Sequence, residues 1–140
     1  MNLKTQAAIA FMEANLNRKL FLDDLTRSLG ISRWHICHLF QAETGMSPMQ
    51  YLKILRMQKA CKLLETSLLS VKEITAKTGF RDVSHFTRDF KKAHGITPTK
   101  HRARFIDIQL LNNHPPRQNH KIGQKTAISA ISFINPKNVS

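Results

Sequence analysis

Ser84, Arg88 and Lys91 stand at helical spacing on one face, with Arg81 and Lys92 beside them. That set suits one kind of chemistry. An arginine guanidinium donates two parallel hydrogen bonds to guanine O6 and N7, a lysine ammonium neutralises phosphate, and a serine hydroxyl bonds either kind of partner. Fifty residues earlier, Trp34, His38 and Gln41 repeat the spacing, and Arg33 opens the same segment as a phosphate or base contact. An indole there can meet sugar or a thymine methyl group, or it can fill a gap against a neighbouring helix. A single charged face is usually just solvated surface, so the weight falls on its repetition within one motif.

Other chemistries fail on spacing. His35, Cys37 and His38 lie within one turn, but no carboxylate is placed to complete a metal site and no HExxH or cysteine-rich pattern occurs. Cys37 has no base with an orienting partner, and no glycine-rich phosphate loop is present. Neither an enzyme nor a bound metal or cofactor is expected. Cys37 and Cys61 form no CxxC pair and no disulfide framework, which fits a reducing cytoplasm.

These residues must be held by helices, and an internal repeat says which. GISRWHICHLFQAETGMSP from Gly30 and GFRDVSHFTRDFKKAHGITP from Gly79 align so that His35, Phe40, Gly45 and Pro48 match His85, Phe90, Gly95 and Pro98. In each copy a short amphipathic helix, about 22–28 or 71–78, ends at a glycine suited to a left-handed exit. A second helix follows, with Ser32 or Asp82 as N-cap and Gly45 or Gly95 as stop. Ser70 and Glu73 have capping-box spacing. Two helices around a tight glycine turn are a helix-turn-helix.

Between the copies, Ser47 and Pro48 open a helix running to about Glu65, whose stripe of Ile54, Met57, Cys61 and Leu64 is broadened by Leu52, Leu55 and Leu63. A helix apolar on more than one side is buried from more than one side. An opening helix with Ile9, Met12 and Leu16 inward, and a closing helix from Pro98 that packs His101, complete an all-α domain. On the second helices, Val83, Phe86, Phe90 and Ala93 read as one core stripe, and Ile36, Leu39 and Phe40 as its counterpart.

The chain has 140 residues and a formal net charge of +13, with 41% hydrophobic residues. That is one folded domain with or without a tail, drawn to an anionic partner. The span 74–104 holds 8 basic against 2 acidic residues. No signal peptide or membrane-spanning run is present. Residues 112–124 read as a polar linker, and the short apolar stretch 126–134 as a minor docking segment at most.

The segments ITAKTGFRDVSHFTRDFKKAHGITPTKHR, SRWHICHLF and ETGMSPMQYL resemble the DNA-binding domain of the AraC/XylS family of bacterial transcription regulators, most nearly its small stand-alone members. The resemblance covers about residues 3–104. It implies about seven helices: a first unit about 3–46, a linker helix 47–65 and a second unit about 70–104. Composition sets off the rest, 105–140, as a basic tail expected to be largely disordered. The resemblance further implies that Arg33, Trp34, Cys37 and His38, and Val83, Ser84, Thr87 and Arg88, fall on positions that contact double-stranded DNA. Cys37, His38, Val83 and Ser84 depart from the residues usual in the small members, so a different operator is implied, and His101 replaces the usual tyrosine. The expectation is a cytoplasmic, nucleoid-associated activator that binds as a monomer across two major grooves and touches RNA polymerase, with no small-molecule effector domain. Two alternatives remain at this stage. One is a nonspecific architectural DNA- or RNA-binding protein, and the other a membrane-surface protein acting through its tail.

Overall fold

The structure, a computed structural model, describes residues 1–113. Among them are seven α-helices: α1 Leu3–Ala14, α2 Leu22–Leu29, α3 Arg33–Thr44, α4 Pro48–Thr66, α5 Val71–Lys77, α6 Val83–His94 and α7 Pro98–Asn112. Local chemistry sets their limits. Ser32 Oγ accepts from the backbone N–H of His35 at 3.0 Å, and Asp82 Oδ1 from that of His85 at 2.7 Å, so α3 and α6 begin at equivalent caps. Both end on glycines in the left-handed region, Gly45 at φ 73° and Gly95 at φ 77°. The Ser70–Glu73 capping box closes in both directions, as does one between Ser47 and Gln50.

The nineteen-residue α4 serves two cores. Its first half contributes Tyr51, Leu52 and Leu55 to a cluster with Ala8, Met12, Leu25, Ile36 and Phe40. Its second half contributes Met57, Ala60, Cys61 and Leu64 to a cluster with Ile74, Phe80, Phe86 and Phe90. The broad apolar surface expected of this helix therefore resolves into two stripes aimed at different units.

Where the stripes change over, the units touch directly. Arg56 Nη2 donates to the Arg18 carbonyl at 2.9 Å. A Cβ on Gly79 would collide with the Leu16 carbonyl and the Arg56 guanidinium, and Gly79 itself stands at φ 76°. Lys53 Nζ reaches Asp89 of α6 at 3.5 Å. A rigid shared helix and a close backbone approach fix the angle between the units.

A polar knot sits inside the second core. His101 is 6% exposed, and its Nε2 lies 2.8 Å from Glu65 Oε2. Cys61 Sγ lies 3.5 Å from His94 Nε2. Burial, assisted by Glu65, pushes the Cys61 thiol up to about 12. Burial and the neighbouring His101 lower His94 to about 4, against the opposing pull of Glu65.

Two expectations need correction. Val83 is 38% exposed and joins no core cluster, because it is the first residue of α6 and projects before the helix meets Phe80 and Ile74. The closing helix runs through Asn112, eight residues past the Arg104 boundary, with Ile106 and Leu110 on exposed positions. Only from residue 114 does the tail lie outside the described residues, and with it most of 112–124 and all of 126–134.

Candidate nucleic-acid interface

Burial of Ile36 and Phe40 turns one side of α3 inward, and burial of Phe86 and Phe90 does the same for α6. A helix fixed on one side offers the other to whatever lies outside. On α3 that outward side carries Trp34, His38 and Gln41, all exposed, with Arg33 exposed at its first turn. On α6 it carries Ser84, Arg88 and Lys91, all exposed, with Lys92 beside them and Arg81 exposed in the preceding turn. The equivalent positions Cys37 and Thr87 are half-buried on the flank of each face. Cys37 packs against the first core, so its thiol meets apolar side chains as much as solvent.

The two faces differ in chemistry. On α3, the Trp34 ring is 68% exposed and stacks on His38 at a centroid distance of 4.0 Å and 27° between planes. The indole therefore fills no gap between helices. It forms a flat aromatic pair in the open. The α6 face is cationic and hydroxylic, and Lys91 and Lys92 in its last turn also complement the helix dipole.

One group beside the α3 face could not be reached from helical spacing. Asp23, on α2, accepts from Arg33 Nε at 2.7 Å and lies 2.6 Å from Arg33 Nη2. It positions the guanidinium at the edge of the α3 face. The pairing joins different helices, so no intra-helix period announces it.

His35, Cys37 and His38 do not converge on one point. The ligand-capable side chains that do converge among the described residues are Cys61, Glu65 and His101, inside the second unit. No helix among the described residues is long and apolar enough to cross a membrane.

Paired helix-turn-helix units with exposed, hydrogen-bonding second helices define a DNA-binding domain. A family model described as a helix-turn-helix domain matches residues 25–104. The chain is 33% identical over 94 residues to the transcriptional activator AarP of Providencia stuartii, covering 67% of this chain and 70% of that protein. Its fold matches that of an AraC-type transcriptional regulator from Chromobacterium violaceum, with TM-score 0.69 and 32% identity over 73% of this chain and 91% of the other. It also matches the DNA-binding domain of AdpA, solved with a target DNA, with TM-score 0.71 and 27% identity over 76% and 96% of the two chains. The chain belongs to the AraC-type helix-turn-helix family of DNA-binding transcription regulators, a family of regulators and not of enzymes. Several longer curated relatives are matched over only 27% to 38% of their length.

Proposed function

We propose that this chain activates transcription by reading an asymmetric promoter site as a monomer, with α3 and α6 as its two recognition helices in successive major grooves. The observation carrying this reading is the repetition of one outward face at a fixed offset of fifty residues on two helices held by α4. A nineteen-residue helix is about 28 Å long, and with the units at its ends it can match the roughly 34 Å repeat of the groove.

The roles follow from the chemistry of each face. Arg88 makes a bidentate contact to guanine, with Ser84 and Thr87 bonding base edges or phosphate nearby. Lys91 and Arg81 neutralise phosphate and set register. Trp34 and His38 present an aromatic pair to sugar and thymine methyl groups, Arg33 and Gln41 bond at its edges, and Cys37 and Val83 offer apolar contact. RNA polymerase is the protein partner suited to an activator of this kind, and the nucleoid the place of action. The basic tail adds nonspecific attraction to phosphate.

Footprinting on promoters selected from genomic DNA tests the proposal. Protection of one asymmetric stretch of about two helical turns, about 20 base pairs, is expected. Diffuse protection at every sequence would favour the nonspecific architectural reading, and a symmetric doubled footprint would remove the monomer.

A further inference from the structure

Cys61, Glu65 and His101 bring their ligand-capable atoms within 4.8 Å of one another where α7 crosses α4. His94, at the end of α6, adds its Nε2 at 3.5 Å from Cys61 Sγ. Cys61 and Glu65 are one turn apart on α4, so their side chains lie side by side. His94 and His101 flank the Gly95 turn, with ring centroids 5.7 Å apart.

We propose that Cys61, Glu65 and His101, with the His94 ring moving in beside Cys61 as the fourth ligand, form a binding site for a divalent transition metal of the zinc type, which ties α6 and α7 to α4. Thiolate, imidazole and carboxylate are the donor set of tetrahedral zinc. With bonds of about 2.0 to 2.3 Å, the corners of such a tetrahedron lie about 3.3 to 3.7 Å apart. The Cys61–His94 separation already has that value. The Glu65–His101 separation of 2.8 Å is a hydrogen bond that has to open slightly as the metal takes its place.

Charge and access agree. A Cys61 thiolate and the Glu65 carboxylate together balance a divalent cation. Binding breaks the Cys61 S–H bond and releases that proton to solvent, while each imidazole stays neutral and binds through its unprotonated ring nitrogen. No oxidant or reductant is involved. Cys61 is 1% exposed, but the Glu65 side chain is 23% exposed and gives the ion an entry. Arg102 holds the surroundings in place without metal, donating from Nε to the Leu64 carbonyl at 3.0 Å and from Nη2 to the Leu69 carbonyl at 2.6 Å. The site faces the second core, away from Ser84 and Arg88, so it stands or falls independently of DNA reading.

The test uses the full chain, stripped with chelator under a non-thiol reductant and titrated with Co2+ and then Zn2+. The expected result is one equivalent of Co2+ with a thiolate-to-cobalt charge-transfer band and the intense visible bands of four-coordinate cobalt, displaced by Zn2+, with a Tm several degrees higher in saturating Zn2+. Cys61→Ala should abolish the charge-transfer band and Cys37→Ser should leave it. Glu65→Gln keeps an acceptor for His101, so it should leave the metal-free fold intact and weaken binding about tenfold or more. Absence of the band in the folded native chain, a weak six-coordinate spectrum, unchanged binding in Glu65→Gln, or a band lost with Cys37→Ser would each overturn the proposal.

Discussion

Arg33 on α3 and Asp23 on α2 form an ion pair across the first helix-turn-helix, with both guanidinium contacts made to the same carboxylate oxygen, at 2.6 and 2.7 Å. Their side chains are 64% and 55% exposed, so solvent screens the pair and its contribution to stability is small. On the proposed reading, its consequence lies in binding. A phosphate competing for Arg33 must displace a carboxylate that is itself repelled by DNA. Asp23→Asn should change stability by less than about 0.5 kcal/mol and tighten DNA binding at low salt. Fluorescence anisotropy across a salt series checks this, and equal affinity at every salt concentration would count against a DNA contact by Arg33.

Arg88 and Lys91 are both exposed on α6, yet they should fail differently. Arg88→Ala should cost about 1 to 3 kcal/mol on the cognate site and relax base preference there, whereas Lys91→Ala should weaken all DNA alike and lower the salt slope by about one. Competition binding against random DNA separates the two. An equal loss on both DNAs for Arg88→Ala would remove it from base readout.

Trp34 is the only tryptophan in the chain, and its ring lies in the open against His38. Its fluorescence therefore reports on α3 alone. Cognate DNA should shift or quench it, and Trp34→Ala should reduce affinity while moving stability by less than about 0.5 kcal/mol. An emission spectrum unchanged at saturating DNA would place α3 outside the interface.

Gly30 and Gly79 hold the same place in the two units, at φ 65° and 76°, but their surroundings differ. An added Cβ at Gly30 meets open space, so Gly30→Ala should cost only the left-handed strain of about 1 to 2 kcal/mol. At Gly79 it strikes the Leu16 backbone and Arg56, so Gly79→Ala should cost clearly more and disturb the angle between units. Urea denaturation of the two variants gives the comparison, and equal midpoints would show that the Leu16 approach yields freely.

The helices and their limits were legible in the sequence because their signals are local. Serine and aspartate caps, the Ser47–Pro48 start and the paired glycine stops act within a few residues, and the observed helices begin and end on them. The outward faces were legible for a related reason. Once Phe40 and Phe90 point inward, a fixed angle per residue places Trp34 and Arg88 outside. Val83 was misplaced because a wheel treats a helix as uniformly covered, whereas its first residue can project past the neighbouring elements. The length of α7 was missed because 105–112 carry no cap or glycine signal to mark an end.

By itself, then, the sequence determined seven helices, two repeated units and an outward polar or aromatic face on each, since all of these depend on period and near-neighbour chemistry. The tertiary structure decided everything that joins distant residues. It divided α4 between two cores, set Gly79 against Leu16, gave Arg33 to Asp23 and gathered Cys61, Glu65, His94 and His101 from three helices. Helical period constrains direction only within one helix. Which helices then meet is settled by packing, where side chains far apart in the chain compete for the same buried space.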